Sequence, residues 1–403
     1  GRTALIVSQP GLRVAAPGYP GSVEPAPFSV MLKPVGPRCD QRCAYCYYRR
    51  VESMYPSGPA RMPPRVLDAF TRRYLRVHPG PEVVFAWQGG EPLLAGTDFF
   101  RGAFRLQRRA CPPGKTVSNT VQTNGLLVDD AWCRLLAGHD VLVGLSLDGP
   151  AEVHDAFRRD GEGRPTQRRV VDALRRLQDA GVEVNAMTCV HAASAGHGRE
   201  VYRYLRDVAG VRHLQLIPVV EWTDDGRTSR RSVDGEAFGR FLVDVFEEWR
   251  VGDVGRVFVR HLDAAAGALL GDPFSSCVHA PTCGTTLALE ATGDLYACDH
   301  FVRPGHRLGN VVRTPLERMV DSGRQRAFGL AKRDTLPEAC LRCPVLDLCA
   351  GGCPKDRRPE PDGSPGPNVL CAGYRTFFEH VRPFLSTLVR GAAQAVPPRE
   401  EAV

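Results

Sequence analysis

The chain has 403 residues, 43% of them apolar, enough to bury one full core and to fill two domains. It contains no apolar run of about 18 residues, which excludes a helical membrane span, and no charged segment leading into an apolar core and cleavage site at the N-terminus, so the expected compartment is the cytoplasm. The net charge of +7 is spread over scattered arginines, with only four lysines among 52 basic residues, which reads as a solvated surface and excludes a nucleic-acid partner.

Residues 1–27 are rich in Pro, Gly and Ala without a period, as in an extended N-terminal arm. The following Phe28-Ser29-Val30-Met31-Leu32-Lys33-Pro34 reads as a buried strand, which Gly36 and Pro37 break into a loop carrying Cys39, Cys43 and Cys46. Spacings of three and then two residues let a short loop wrap a metal centre, and soft thiolates select zinc, Cu(I) or iron–sulfur. Zinc would require a further Cys or His, and the next is His78; an iron–sulfur cluster with one open iron would take a small-molecule ligand instead. A disulfide or a zinc knuckle is the plain alternative.

From Phe28 to about Val220, β-rich apolar runs alternate with amphipathic segments. Strands are predicted at 28–33, 82–87, 116–123, 141–147, 183–190 and 212–220, and helices near 64–77, 98–110, 130–138, 167–180, 197–209 and 235–250. Six βα units imply a parallel sheet with helices outside, short of a closed eight-stranded barrel, with the active site at the strand C-termini. Those ends carry polar residues: Gln88-Gly89-Gly90-Glu91-Pro92, Gln122-Thr123-Asn124-Gly125, and Ser146-Leu147-Asp148-Gly149, the last followed by His154, Asp155 and Arg158. Each alone is an ordinary turn sequence.

Of the fourteen cysteines, eight form a second field: Cys277, Cys283, Cys298, Cys340, Cys343, Cys349, Cys353 and Cys371. Cys111, Cys133 and Cys189 read as small core residues. The clustered spacings favour metal ligation over a disulfide framework. Eight thiolates complete two four-cysteine clusters from protein alone, with two structural zinc sites as the alternative.

C-x3-C-x2-C followed by the aromatic Tyr47, with Gly89-Gly90-Glu91-Pro92 after the next strand, resembles the radical S-adenosylmethionine (SAM) superfamily, whose fold is an open (β/α)6 partial barrel. The second cysteine field resembles the SPASM domain that follows such barrels. Residues 31–34, 118–125, 296–301, 309–310, 351–355 and 371–374 are similar to the anaerobic sulfatase-maturating enzymes. The resemblance implies a barrel over 28–255, a SPASM domain over 256–385 and a tail over 386–403. It implies three [4Fe–4S] clusters: one on Cys39, Cys43 and Cys46, one on Cys277, Cys283, Cys298 and Cys353, and one on Cys340, Cys343, Cys349 and Cys371. It also implies that Gln88, Gly89, Gly90 and Glu91 hold the methionine amino group of SAM, Ser146 its ribose and Arg158 its carboxylate, while Asp148 either shares that task or braces its loop.

The implied activity is oxidation of a Cys or Ser of an unfolded sulfatase to Cα-formylglycine, with Asp299 as the base, electrons from a flavodoxin or ferredoxin, and Tyr48 either lining the substrate pocket or packing. Two other readings stay open. One is a maturase of a ribosomally made precursor peptide, although residues 1–27 are too short for the winged-helix recognition domain many of those carry. The other is a non-catalytic iron–sulfur carrier, which would have no use for an open three-thiolate site beside Gly89-Gly90-Glu91.

Overall fold

The computed structural model describes residues 27–55, 58–274, 276–360 and 365–395. The expected arm lies outside them but for Pro27. β1 (Ser29–Leu32) alternates half-buried and buried side chains, Val30 and Leu32 facing inward, and delivers the cysteine loop and a 3-10 helix, Tyr47–Met54. α1 (Pro64–Val77) opens with Pro at its first position, where no amide donor is needed, and buries Val66, Leu67, Phe70, Tyr74 and Leu75 at helical spacing. β2 (Glu82–Trp87) turns Val83, Phe85 and Trp87 to the same core.

The pattern repeats through α2 (Thr97–Ala110), β3 (Thr116–Thr123), α3 (Asp130–Ala137), β4 (Leu142–Ser146), the single turn α4 (Ala151–His154), α5 (Gln167–Asp179), β5 (Val184–Val190), α6 (Gly198–Arg203), β6 (His213–Pro218) and α7 (Gly235–Gly252). The helix expected over 197–209 divides, because α6 passes into a π-helical turn at Tyr204–Val208.

Beyond α7 come β7 (Phe258–Val259), α8 (Arg260–Leu269), β8 (Thr286–Leu289), β9 (Asp294–Tyr296), β10 (Arg307–Asn310), α9 (Leu316–Val320), α10 (Gly323–Asp334), α11 (Glu338–Leu341), α12 (Leu346–Cys349), β11 (Arg357–Pro359), β12 (Pro365–Asn368) and α13 (Cys371–Ala395). The expected tail from residue 386 therefore begins inside a helix.

The main sheet runs β10-β9-β8-β1-β2-β3-β4-β5-β6-β7. β1 to β7 are parallel and neighbours in chain order, the topology of a barrel left open. β8 adds to the free edge of β1 in parallel, with Val30 opposite Leu287 and Leu32 opposite Leu289. These late strands of three and four residues lie in a segment rich in Gly and Cys and carry no period long enough to read from sequence. One core cluster joins β1 to β4 with Leu287, Leu289, Leu295, Leu316 and Met319. A second joins β4 to β6 and α7 with α8 and α13. Packing thus crosses the expected boundary at 255/256 at both ends of the sheet.

Candidate active site

The cysteine loop is fastened from two sides. On one, Arg42 and Ala44 donate their amides to the carbonyls of Arg159 (2.8 Å) and Phe157 (2.9 Å), and Gln41 Nε2 donates to Thr166 Oγ1 at 3.2 Å. On the other, the Gly-Gly-Glu element extends β2 alongside the loop's approach: Gln88 N reaches Leu32 O, Gly90 N reaches Gly36 O and Glu91 N reaches Arg38 O, each at 2.8 Å. Glycine is required at 90, because a Cβ there would stand 2.0 Å from Arg38 O. Burial pushes the Cys39 thiol up to about 12 and Cys43 up to about 11, so a metal centre must take up these thiols as thiolates with release of protons.

Glu91 is fully buried, and its carboxylate accepts from Leu93 N (2.9 Å), Thr123 Oγ1 (2.8 Å) and Asn124 N (2.8 Å). Burial raises its pKa to about 7 against the pull of those donors. Asn124 in turn donates to Asp40 Oδ1 at 2.6 Å and reaches Cys39 Sγ at 3.6 Å. Glu91 thus locks the end of β3 onto the loop, while Gln88 and Gly89 stay half-buried at the mouth.

Ser146 accepts from Gln122 Nε2 at 3.1 Å across the ends of β4 and β3. Arg158 turns its guanidinium onto Asp148, with Nε to Oδ2 at 2.8 Å and Nη2 to Oδ1 at 3.1 Å. Asp148 also accepts from Tyr45 (2.5 Å) and from the Cys189 amide (2.8 Å), so bracing of its loop is what the structure shows. Burial would raise the Asp148 pKa, but the Arg158 charge outweighs it and the carboxyl is held below its usual range. Cys189, read as core from sequence, packs partly buried against a small apolar cluster of Cys43, Tyr45 and Val219, beside Cys46 and Phe157.

Asp299 is buried directly after Cys298, where β9 leads into a short 3-10 turn. Lys33, itself buried just past the end of β1, forms an ion pair with Asp299, and the hydroxyl of Tyr47 donates to the same carboxylate. Burial pushes the Asp299 carboxyl up, yet the charges of Lys33 and His300 and the bonds from Lys33 and Tyr47 hold it below the usual range. Tyr48 points elsewhere: its ring is packed with Val51, Ala288, Tyr296 and Val302, its hydroxyl donates to Glu290, and Lys33 Nζ lies 4.7 Å from its ring centroid. Lys33, Tyr47 and Glu290 were not assigned roles from sequence. The signals for Lys33 are a lone cation closing an apolar run and its place in the family-like segment 31–34.

The eight remaining thiols separate into two groups. Cys298 lies within electrostatic reach of Cys353 and Cys277, and Cys283 within reach of Cys277. Cys349 faces Cys371, Cys340 and Cys343, and these four line one small cavity with Gly351 and Asn368. Among the described residues no three metal-ligating side chains converge on a single ion, which would need thiolates about 2.3 Å from one point. Four thiols lining one cavity have room between them for a polynuclear cluster.

An open parallel barrel with three thiols at its mouth and a cysteine-rich extension defines a radical SAM enzyme. Residues 34–205 match the radical SAM superfamily, and 277–344 match the SPASM iron–sulfur cluster-binding domain. The chain is 36% identical to the serine-type anaerobic sulfatase-maturating enzyme of Bacteroides thetaiotaomicron, over 89% of this chain and 90% of that one. It is 31% identical to the cysteine-type enzyme of Clostridium perfringens, over 89% and 97%. The solved structure of native anSMEcpe with bound AdoMet and the Cp18Cys peptide superposes with a TM-score of 0.83 at 30% identity, over 91% of this chain and 99% of that one. The chain belongs to the anaerobic sulfatase-maturating enzymes. Its barrel is accordingly a SAM-binding domain and its C-terminal extension an iron–sulfur cluster-binding domain.

Proposed function

We propose that this enzyme oxidises a Cys or Ser side chain in an unfolded segment of a sulfatase to Cα-formylglycine, with Asp299 as the base. The observation that carries the reading is the placement of Asp299, whose carboxylate is bonded by Tyr47, next to Cys46 in the cysteine loop, and by Lys33, next to β1. A base so held lies between the loop and the first group of auxiliary thiols. Cys39, Cys43 and Cys46 would hold the cluster that leaves one iron open to SAM. Gln88 to Glu91, Ser146 and Arg158, at the ends of the strands, would take SAM. The sets Cys277, Cys283, Cys298, Cys353 and Cys340, Cys343, Cys349, Cys371 would hold two further clusters. When bound, SAM and the loop cluster supply one-electron removal of a substrate Cβ hydrogen, and the auxiliary clusters supply an exit for the second electron.

Within that frame the chain's own residues handle the proton. Lys33 keeps Asp299 ionised and fixes its orientation, Tyr47 holds the second carboxylate oxygen, and Asp299 accepts the thiol or hydroxyl proton of the substrate. Glu91 contributes by fixing β3 and Asn124 against the loop. A flavodoxin or ferredoxin in the cytoplasm is the proposed reductant. The barrel over 28–255 and the SPASM domain over 256–385 are proposed as units of function, although they share their cores.

The test is Asp299→Asn with a Cys- or Ser-containing sulfatase peptide, reading 5′-deoxyadenosine and aldehyde in one reaction. Aldehyde is expected to fall by about 10²-fold or more while SAM cleavage persists. Iron in the wild-type protein should approach about twelve atoms per chain, roughly four per cluster. An unchanged aldehyde yield would overturn Asp299 as the base, and loss of both products together with auxiliary iron would make it a support for its neighbouring cluster.

A further inference from the structure

Arg357 begins β11, shortly after Cys353, and is buried at 6% exposure. Its Nη2 donates to the Lys332 carbonyl at 2.7 Å and its Nη1 to Thr335 Oγ1 at 3.2 Å. Among the described residues no carboxylate pairs with it. Burying a guanidinium against only a carbonyl and a hydroxyl costs several kcal/mol unless a counter-charge is supplied.

The surroundings of Arg357 show where that counter-charge belongs. On one side, the Lys332 whose carbonyl it bonds sends its own buried ammonium to the carbonyls of Cys277 (2.9 Å) and Val278 (2.8 Å), beside the first auxiliary thiols. On the other, Nη2 lies against Gly351, where a Cβ would come within 2.9 Å of it. Gly351 has a φ of +72° and lines the cavity of Cys340, Cys343, Cys349 and Cys371. The cysteines that act on the Arg357 charge are correspondingly two from each group, Cys340 and Cys349 from one, Cys283 and Cys353 from the other.

We propose that Arg357 is the shared counter-charge of the two auxiliary clusters, a positioning residue that raises the reduction potential of both. The inference rests on the cluster assignment given under the proposed function. A cluster on four thiolates is anionic and gains a further negative charge on reduction, so a fixed cation in a dry site favours the reduced form. A single cation within reach of thiols from both groups acts on both sites, so it shifts the two potentials in the same direction.

The experiment is an EPR-monitored potentiometric titration of the full-length, anaerobically reconstituted enzyme, comparing wild type, Arg357→Gln and Arg357→Lys, with iron content measured on each. In Arg357→Gln both auxiliary clusters should become harder to reduce by tenfold or more, about 59 mV for one electron, while the cluster on Cys39, Cys43 and Cys46 keeps its potential. Arg357→Lys, which keeps the charge, should stay close to wild type. Auxiliary potentials that stay put in Arg357→Gln at full iron content, a shift of only one cluster, or equal shifts in the two variants each overturn the inference. Loss of auxiliary iron in Arg357→Gln that Arg357→Lys restores supports it, and loss in both overturns it. A wild-type protein without two auxiliary signals would instead refute the cluster assignment itself, and this inference with it.

Discussion

Lys33 and Asp299 are each almost fully buried, and neither is tolerable without the other. Lys33→Met should leave an uncompensated carboxylate in the interior and destabilise the fold by roughly 3–5 kcal/mol, whereas Lys33→Met combined with Asp299→Asn should cost much less than the sum of the single changes. Anaerobic denaturant midpoints of the four proteins check this, and strict additivity would deny the pair. Glu290 offers a second residue-scale measurement. Burial raises its carboxyl from the ordinary 4.5 to about 7, partly offset by the Tyr48 hydroxyl and the Lys33 charge. The folded state therefore holds the proton more tightly than the unfolded chain. The stability tied to that proton is complete below about pH 4.5 and is lost as pH rises through about 7, on the order of 3 kcal/mol at most. Glu290→Gln should remove this dependence, so its stability relative to wild type should improve between pH 5 and 7 and level off above that; a constant difference would be the contrary result. Asp299 was picked out of the sequence by the family resemblance, as the residue directly after Cys298, and the position it occupies is buried beside that thiol. Its partners were not legible, since Lys33 lies far away in the chain and only the pairing of β8 with β1 brings the two together. Tyr47 and Tyr48 are neighbours whose different directions are set by a 3-10 helix, which no linear pattern separates.

At the scale of elements, the six βα units and the cysteine loop were visible in hydrophobic period and in Gly and Pro punctuation, and their predicted limits differ from the observed ones by a residue or two. The edge strands β8 to β10 were not, being too short to show a period. Nor did the Gly89-Gly90 pair disclose why it is glycine: a turn needs one permissive residue, whereas here two backbones touch. Gly90→Ala puts a methyl group where Arg38 O stands, and the loop must move to admit it. The expected outcome is loss of the loop cluster and of SAM cleavage, with the two auxiliary clusters retained, so that iron falls by about one third. Full iron with normal SAM cleavage in Gly90→Ala would show that the loop yields without consequence.

At the scale of the whole molecule, the question is what ties the cysteine-rich extension to the barrel. Length and the family resemblance suggested two consecutive domains, but among the described residues the two large cores each draw side chains from both sides of residue 255. The decisive crossing is that of α7 and α13, and it is made by glycines. A Cβ at Gly373 would lie 1.9 Å from Gly235 O, and one at Gly239 would lie 2.5 Å from Gly373 Cα, so the two helices meet backbone to backbone. Cys371 is the first residue of α13, within the same turn as Gly373. Gly373→Ala must therefore push α13 off α7 and carry Cys371 away from Cys340, Cys343 and Cys349. Overpacking of this kind costs roughly 1–3 kcal/mol, and a methyl driven onto backbone lies at the upper end. The expected result is loss of the second auxiliary cluster, with the loop cluster and SAM cleavage preserved, whereas Ala at Gly391, which has open space around it, should change nothing. EPR of the reduced protein together with iron analysis distinguishes the outcomes. If Gly373→Ala keeps all its iron, the crossing is looser than its geometry implies, and Cys371 is held by the SPASM loops alone.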